Sequence, residues 1–400
     1  VVNFSFLMSI RSFIEASFSY IPEEMVSTEE LLKTPLYSHK EKRFKEHDPK
    51  DIADTIGVDD RFHSRLPLHE MIAKGVNRLF EESTTKREEI THVIVAHNRA
   101  PNGENIPNVT SRVCSLTGLE HAISPDSIYG CHGDVFAMDV ADSLIRTKKA
   151  KKVLVIGAEK LYEIRGDSIA SALFSDGAAG VVISEEFIPD IIADNKIIPL
   201  PGPVRGIISS AYLADNSPKA NDAIRMSCNF GNNERSLDMN GKDVYNIAVP
   251  GMAGRYFELL NKTNLNDKDI DMLLIHQASS KMVWGTIEKI MNQLHPDVKH
   301  KNDVTNLIRE YISLKAPVSV RHLGNNSGAT TLTLLDLILK KDTQFKPELY
   351  NPLLKPLMED LDHYIIRPND KIVFAKGGAG MGLAAMLHVM HPIYWDKLRN

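Results

Sequence analysis

Three scarcities narrow what this 400-residue chain can be. Its three cysteines, Cys114, Cys131 and Cys228, cannot all pair with one another, and their wide spacing matches no zinc motif. That pattern speaks for a reducing cytoplasm and against a structural metal module. A basic block is also missing. With 47 Lys+Arg against 52 Asp+Glu the formal net charge is -5, which gives no support to nucleic-acid binding, although an acidic partner can still meet a local basic patch. Long apolar runs are absent too, since none approaches the roughly 20 residues that span a bilayer. The opening Val1-Val-Asn-Phe-Ser-Phe-Leu-Met8 is apolar but short, has no basic flank ahead of it, and is followed by Arg11. It reads as an N-terminal extension or an alternative start ahead of Met8, not as a secretion signal.

What is present suits one large globular body or two fused halves, with 43% hydrophobic and 25% charged residues. Short apolar runs read as buried strands over Thr91 to Ala96, Lys152 to Gly157, Ala178 to Ser184, Asp271 to Ile275, Lys371 to Ala375 and Ala384 to Val389. Helical periodicity follows over Met71 to Glu82, Asp134 to Ile145 and Lys281 to Leu294. This alternation predicts an α/β layered protein. The polar stretch Asn216 to Ser236 divides it into residues 1–235 and 236–400, and each half holds a strand, a loop with reactive side chains and a helix. Tyr37 to Lys50, dense in Lys, Glu and His, and Phe345 to Pro368, with prolines and acids, read as surface insertions.

Cys131 stands in Ser127-Ile-Tyr-Gly-Cys-His-Gly-Asp134, just before the periodic run Val135 to Ile145. A thiol in the first turn of a helix meets unpaired N–H groups and the positive dipole end, which favour thiolate, as a nucleophile requires. The competing reading is a small hydrophobe that merely packs. In Met272-Leu-Leu-Ile-His-Gln-Ala278 an apolar strand ends at His276, the edge where open α/β sheets place ligands. Asn325 lies in Arg321-His-Leu-Gly-Asn-Asn-Ser-Gly-Ala329, ahead of the helical run Thr330 to Leu339, where Asn also serves as an ordinary turn residue. Gly377 to Gly382 follows a strand but precedes another strand-like run, so it is not a dinucleotide loop; its glycines offer close backbone approach.

Cys131, His276 and Asn325, in that order and on those local structures, resemble the thiolase superfamily, and in particular its β-ketoacyl-acyl-carrier-protein synthase III-like branch. The resemblance extends through Ser19-Tyr-Ile-Pro-Glu23, Ile56-Gly-Val-Asp-Asp-Arg61, Phe174-Ser-Asp-Gly-Ala-Ala179, Met239-Asn-Gly-Lys-Asp-Val-Tyr245 and Lys376-Gly-Gly-Ala-Gly-Met-Gly382. It implies a thiolase-like fold of two similar halves in α-β-α-β-α layers, Cys131 in the first and His276 and Asn325 in the second. It implies an acyltransferase of the 3-oxoacyl-carrier-protein synthase III type. Cys131 is acylated by a thioester, and an acceptor carbanion then attacks in a Claisen-type condensation. In that pattern His276 and Asn325 donate hydrogen bonds to the acceptor carbonyl, and the N–H groups of Cys131 and Gly378 form the oxyanion hole. No metal and no cofactor beyond acyl thioesters is implied. Acyl carrier protein and a second copy of the chain are the expected partners.

Departures from the family pattern bear on the substrate. Asp51-Ile-Ala-Asp-Thr-Ile-Gly57 lacks the Trp and Arg that sandwich the adenine of coenzyme A, so coenzyme A recognition is expected to be altered, with acyl thioesters of coenzyme A or of a carrier protein as substrates and one or both acyl groups arriving on the carrier. Lys281 occupies a position where the family has Arg, and reads either as a carrier-docking cation or as an ordinary helix lysine. Asn102-Gly-Glu-Asn-Ile-Pro-Asn108 resembles the loop that floors the partner's acyl tunnel, with Ile106 as the flooring residue. Glu104 in that loop is either a base, as in superfamily members that deprotonate without decarboxylating, or a carboxylate in water. His132 either shapes the pocket around a polar donor or lies on a helix surface. Retention of Cys131, His276 and Asn325 together favours carbon–carbon bond formation in specialised or fatty-acid-related metabolism, including the joining of two β-ketoacyl units to a cyclohexanedione or resorcinol precursor. Acyl transfer to O or N, and a non-catalytic subunit of a condensing heterodimer, are the alternatives.

Overall fold

Two mixed sheets with the same strand order carry the architecture. The first runs Ser5–Tyr20, Gly177–Ala193, Lys152–Glu159, His92–His97, with Asp126–Ile128 at its far edge. The second runs Gly206–Ala214, Gly382–Val389, Lys371–Gly378, Met272–Ile275. In both, the two junctions after the first strand are antiparallel and the next is parallel. Each sheet thus places the first, fourth, third and second of these strands side by side, which is the internal duplication expected from the repeated strand-loop-helix units. This computed structural model describes residues 5–38, 43–98, 106–162, 165–166, 172–193, 196–199, 204–229 and 234–399.

Helices Gly133–Arg146 and Thr330–Lys340 lie between the sheets, and their apolar residues join those of both sheets in one core. Every residue of Thr330–Lys340 is buried, as expected of a helix covered on all sides. Its two charges are paired: Lys340 reaches Asp336 at 2.8 Å and Glu82 at 2.6 Å, and Asp336 accepts from the hydroxyls of Ser17 and Ser19. Leu68–Glu82 and Val109–Thr117 cover the outer face of the first sheet, around Phe18, Leu79, Val93 and Leu154. Gly241–Thr263, Ser280–Leu294 and Lys301–Lys315 cover the second, around Tyr256, Leu273 and Val373. The result is the α-β-α-β-α layering expected from the sequence. Among the described residues no helix is long and apolar enough to cross a membrane.

Several expectations change. Gly206–Ala214 already belongs to the second sheet, so the change of sheet falls ahead of the 235/236 division. The polar stretch around that division instead forms the hairpin of Ile224–Asn229 and Glu234–Met239. Ser5–Met8, taken as part of an extension, pairs in register from Ser5↔Ile192 to Met8↔Pro189. Phe345 to Pro368 is no mere surface insertion. Leu354, Leu357, Met358 and Leu361, spaced at helical intervals, insert into the middle core together with Tyr364 and Ile366. Tyr37 to Lys50, by contrast, holds the exposed strand Arg43–Lys45 paired with Leu36–Ser38.

Candidate active site

The nucleophile turn is set by its glycines. Gly133 N–H donates to the Gly130 carbonyl at 2.8 Å, folding Gly130 to Gly133 back just before helix Gly133–Arg146. Cys131 therefore sits two residues ahead of the helix rather than in its first turn. It is buried, and burial pushes its thiol up to about 11; Glu159 adds to the rise, whereas Lys376 opposes it. Burial thus works against the thiolate expected from helix position and favours the thiol.

His276 follows strand Met272–Ile275, and its own N–H donates to the Ala375 carbonyl of the neighbouring strand at 2.8 Å. The imidazole Nδ1 lies 2.9 Å from Thr330 Oγ1. Burial, with Lys376 and His132 nearby, pushes its pKa well below the usual imidazole range, so the ring is neutral. If the Thr330 hydroxyl donates to Nδ1, the ring proton resides on Nε2, the nitrogen left for a ligand. Asn325 is held in the same manner. Its Oδ1 accepts from Ser327 N–H at 2.8 Å, which leaves the Nδ2 amino group as a donor. The loop is anchored by Asn325 N–H to the Leu173 carbonyl and Ser175 N–H to the Asn325 carbonyl, both 3.0 Å. Gly324, at φ +64, permits the turn into it.

Gly378 closes the site from the opposite side. A Cβ there would stand 2.5 Å from the Cys131 nitrogen and 2.6 Å from His132 Nδ1, so only glycine allows the two backbones to meet. This close approach is what the Gly-rich segment supplies, and the strand Gly382–Val389 that follows it excludes a nucleotide loop. Beneath lies a fully buried ion pair. Lys376 Nζ reaches both Asp134 oxygens at 2.8 Å and the Gly328 carbonyl at 2.9 Å, tying the nucleophile helix, the Asn325 loop and the Gly378 strand together. Burial pushes both partners toward their neutral forms, and their pairing opposes it.

Cys131, His276, Asn325, Gly378 and Lys281 line one cavity of about 350 Å³. Its wall is largely apolar, with Ile56, Leu173, Phe174 and Met282 prominent, and Thr55 and Ile56 are the residues of the Asp51 to Gly57 stretch that line it. His132 is neither on a helix surface nor among the lining residues. Its ring is buried against Tyr129 and fills the space left by Gly378 and Gly382, and burial with Lys376 pushes it down to about 4. Ile106 is 92% exposed and does not line the cavity of its own chain. Glu104 lies outside the described residues. Sequence reasoning overlooked Glu159, Ser327, Thr330 and the Lys376–Asp134 pair. The signal for two of them was available: Glu159 ends an otherwise apolar strand, and Lys376 interrupts one. Among the described residues no group of three or more His, Cys, Asp or Glu side chains is arranged to hold a metal ion.

Two similar halves stacked in five layers, with a cysteine on the first and a histidine and asparagine on the second, form a thiolase-like fold. Residues 126–196 match the family model of 3-oxoacyl-[acyl-carrier-protein] synthase III. The β-ketoacyl-[acyl-carrier-protein] synthase III of Clostridium acetobutylicum is 27% identical over 338 residues, covering 81% of this chain and 88% of that protein. The crystal structure of 3-oxoacyl-[acyl-carrier-protein] synthase III from Aquifex aeolicus superposes with TM-score 0.69 at 21% identity, over 94% of this chain and 99% of the other. A priming β-ketosynthase from a polyketide biosynthetic pathway superposes with TM-score 0.70 at 18% identity, over 96% and 97%. In sequence and fold the chain is similar to the synthase III-like branch of the thiolase superfamily.

Proposed function

We propose that the protein is a condensing enzyme that joins a Cys131-bound acyl group to a second acyl thioester by a Claisen-type reaction. The observation that carries this reading is the pair of donors left over at the cavity. His276 has its Nδ1 occupied by Thr330, and Asn325 has its Oδ1 occupied by Ser327, so both present N–H groups where a thioester enolate needs them. Cys131 supplies the nucleophile, and its N–H with that of Gly378 the oxyanion hole for acyl transfer. A carbanion formed by decarboxylation of a malonyl thioester, or from a β-ketoacyl unit, attacks the acyl-Cys131 carbonyl and expels the thiolate. Only thioester substrates are consumed, with no metal or other cofactor. Lys281 at the cavity favours donors presented by an acidic carrier protein, and Thr55 and Ile56 offer adenine no aromatic face.

A homodimer is part of the proposal. Asp126–Ile128 is the edge of the first sheet among the described residues, and Ile123, Ile128, Tyr129 and Phe136 around it are exposed. Two copies meeting there would cover this row and bring Ile106 toward the partner.

Intact-mass analysis after incubation with coenzyme A- and carrier-bound acyl, malonyl and β-ketoacyl thioesters tests the reading. The expected result is an acyl adduct on Cys131, then discharge to a longer ketoacyl product, with CO2 from the malonyl acceptor. An ester or amide product would mean transfer to O or N, and wild-type protein that gains no acyl mass would favour a non-catalytic subunit. Thr330→Val further probes the orientation of His276. Loss of the hydroxyl lets the ring turn, and condensation is expected to fall by about 10²-fold while acylation persists.

A further inference from the structure

Burial favours the thiol form of Cys131, and the residues placed around the acceptor do not remove its proton. His276, in the enolate-donor role proposed above, carries its proton on Nε2 and turns Nδ1 to Thr330, so it has no free lone pair to offer. We infer that Glu159 takes up the Cys131 proton through the Ser327 hydroxyl and so activates the sulfur for acylation. The inference rests on the condensing-enzyme reading in requiring Cys131 to be the nucleophile.

The geometry is a chain of two hydrogen bonds. Ser327 Oγ lies 3.2 Å from Cys131 Sγ and 3.1 Å from Glu159 Oε1. A hydroxyl has one proton, and a carboxylate is a far better acceptor than a thiol sulfur. Ser327 therefore donates to Glu159, and its oxygen accepts from the Cys131 S–H. Asn98 fixes both ends of this link. Its backbone N–H and side-chain amide donate to Glu159 Oε1 at 2.9 and 2.6 Å, and the same amide lies 2.9 Å from Ser327 Oγ. Ser327 is held with φ +52, a backbone conformation that costs a non-glycine residue energy and is retained here beside the reactive sulfur.

Glu159 is itself out of place by ordinary packing rules. It is 1% exposed at the end of a buried strand and forms no ion pair among the described residues. The nearby cation, Lys376, is held by Asp134. Burial pushes the Glu159 carboxyl up to about 8, against the hydrogen bonds of Ser327 and Asn98 and the charge of Lys376. A carboxylate that binds a proton near neutrality is suited to accepting one and returning it. Cys131, Lys376 and Asp134 are the other ionisable groups that bear on it through this cluster.

The step balances within the site. The Sγ–H bond breaks as Ser327 Oγ takes that proton and passes its own to Glu159 Oε1. The sulfur electron pair forms the bond to the acyl carbon, and the carbon–sulfur bond to the carrier thiol breaks. The proton then returns through Ser327 to the departing sulfur, restoring the Glu159 carboxylate.

The test measures two rates against pH from 6 to 10 in the full-length protein. One is acyl-enzyme formation, by quenched intact mass, with acetyl, hexanoyl and octanoyl thioesters of coenzyme A and of a carrier protein. The other is alkylation of Cys131 by iodoacetamide, which needs thiolate but no relay. Wild-type acylation is expected to rise with pH and level off above about 8, as Glu159 loses its proton. Glu159→Gln, which keeps size and shape, is expected to lower the plateau by roughly 10²-fold and remove the break. Alkylation should not slow in this variant, because a neighbouring negative charge has been removed. Ser327→Ala should repeat the acylation defect, and decides the matter if Glu159→Gln does not fold. The inference is overturned if Glu159→Gln keeps the wild-type acylation rate and break, or if acylation and alkylation fall together as they would for a purely structural role. Wild-type protein that is alkylated at Cys131 yet never acylated by any donor would instead sink the condensing reading, and this inference with it.

Discussion

Cys131→Ala is expected to abolish acyl-enzyme formation with every donor. Intact mass after incubation should show the unmodified chain where the wild type carries the acyl increment. Among the described residues no second thiol lines the cavity, and Cys114 is buried in the outer core between Val109–Thr117 and the first sheet. Removing Sγ also leaves Ser327 hydrogen-bonded to Glu159 and Asn98, so the loop that holds Asn325 keeps its anchors. The loss should therefore be chemical, with the fold intact by circular dichroism and thermal melting. Turnover to condensed product should fall by at least roughly 10⁴-fold, the scale seen when the nucleophile of a covalent mechanism is deleted. An acyl increment that persists on the Ala variant would place the nucleophile elsewhere.

The site was legible in the sequence where local pattern and chemistry coincide. Cys131 before a periodic run, His276 after an apolar strand and Asn325 in a Gly-flanked turn are each visible within ten residues, and the structure brings them to one cavity. Features that depend on partners distant in the chain were not legible. Strand Ser5–Tyr20 alternates apolar and polar residues like one with a wet face. Yet Ser12, Glu15, Ser17 and Ser19 are buried, satisfied by Asp142 and Asp336 from the middle layer and by Ser184 of the neighbouring strand. The polar face therefore reads as surface until those partners are known. The same holds for Lys376 and Asp134, 242 positions apart, and for Glu159 and Ser327, 168 apart.

The burial of Cys131 was hidden for a related reason. Sequence locates a helix start but says nothing of how completely the residues before it are dried. Here the turn Gly130 to Gly133 is covered by the Gly378 strand, and burial dominates the titration. Glycine permits that cover at Gly130 as well, where a Cβ would lie 2.7 Å from the Ala379 nitrogen. The glycines that shape the oxyanion donors thus also dry the thiol, which is why a proton acceptor becomes part of the problem.

His276→Ala and Asn325→Ala should separate the two half-reactions. Each variant is expected to acquire the acyl group on Cys131, because neither side chain contacts the sulfur in the described hydrogen-bond network and the acylation oxyanion hole is built from backbone N–H groups. Each should then fail to discharge it. Losing one preorganised donor typically costs about 10²–10³ in rate, and here the donors act on the same developing enolate oxygen. Trapped acyl-enzyme should therefore persist by intact mass when acceptor is added, while the wild type returns to unmodified mass. Because burial keeps His276 neutral, condensation by the wild type should show no break at the usual imidazole pKa. Stability need not fall equally. Asn325→Ala removes the acceptor of Ser327 N–H and leaves a buried donor unpaired, costing about 1–3 kcal/mol. Its melting temperature should drop accordingly, and an acylation defect confined to Asn325→Ala would trace to movement of Ser327 away from the thiol. Equal loss of acylation in both variants would instead show that the imidazole and the carboxamide act on the first half-reaction.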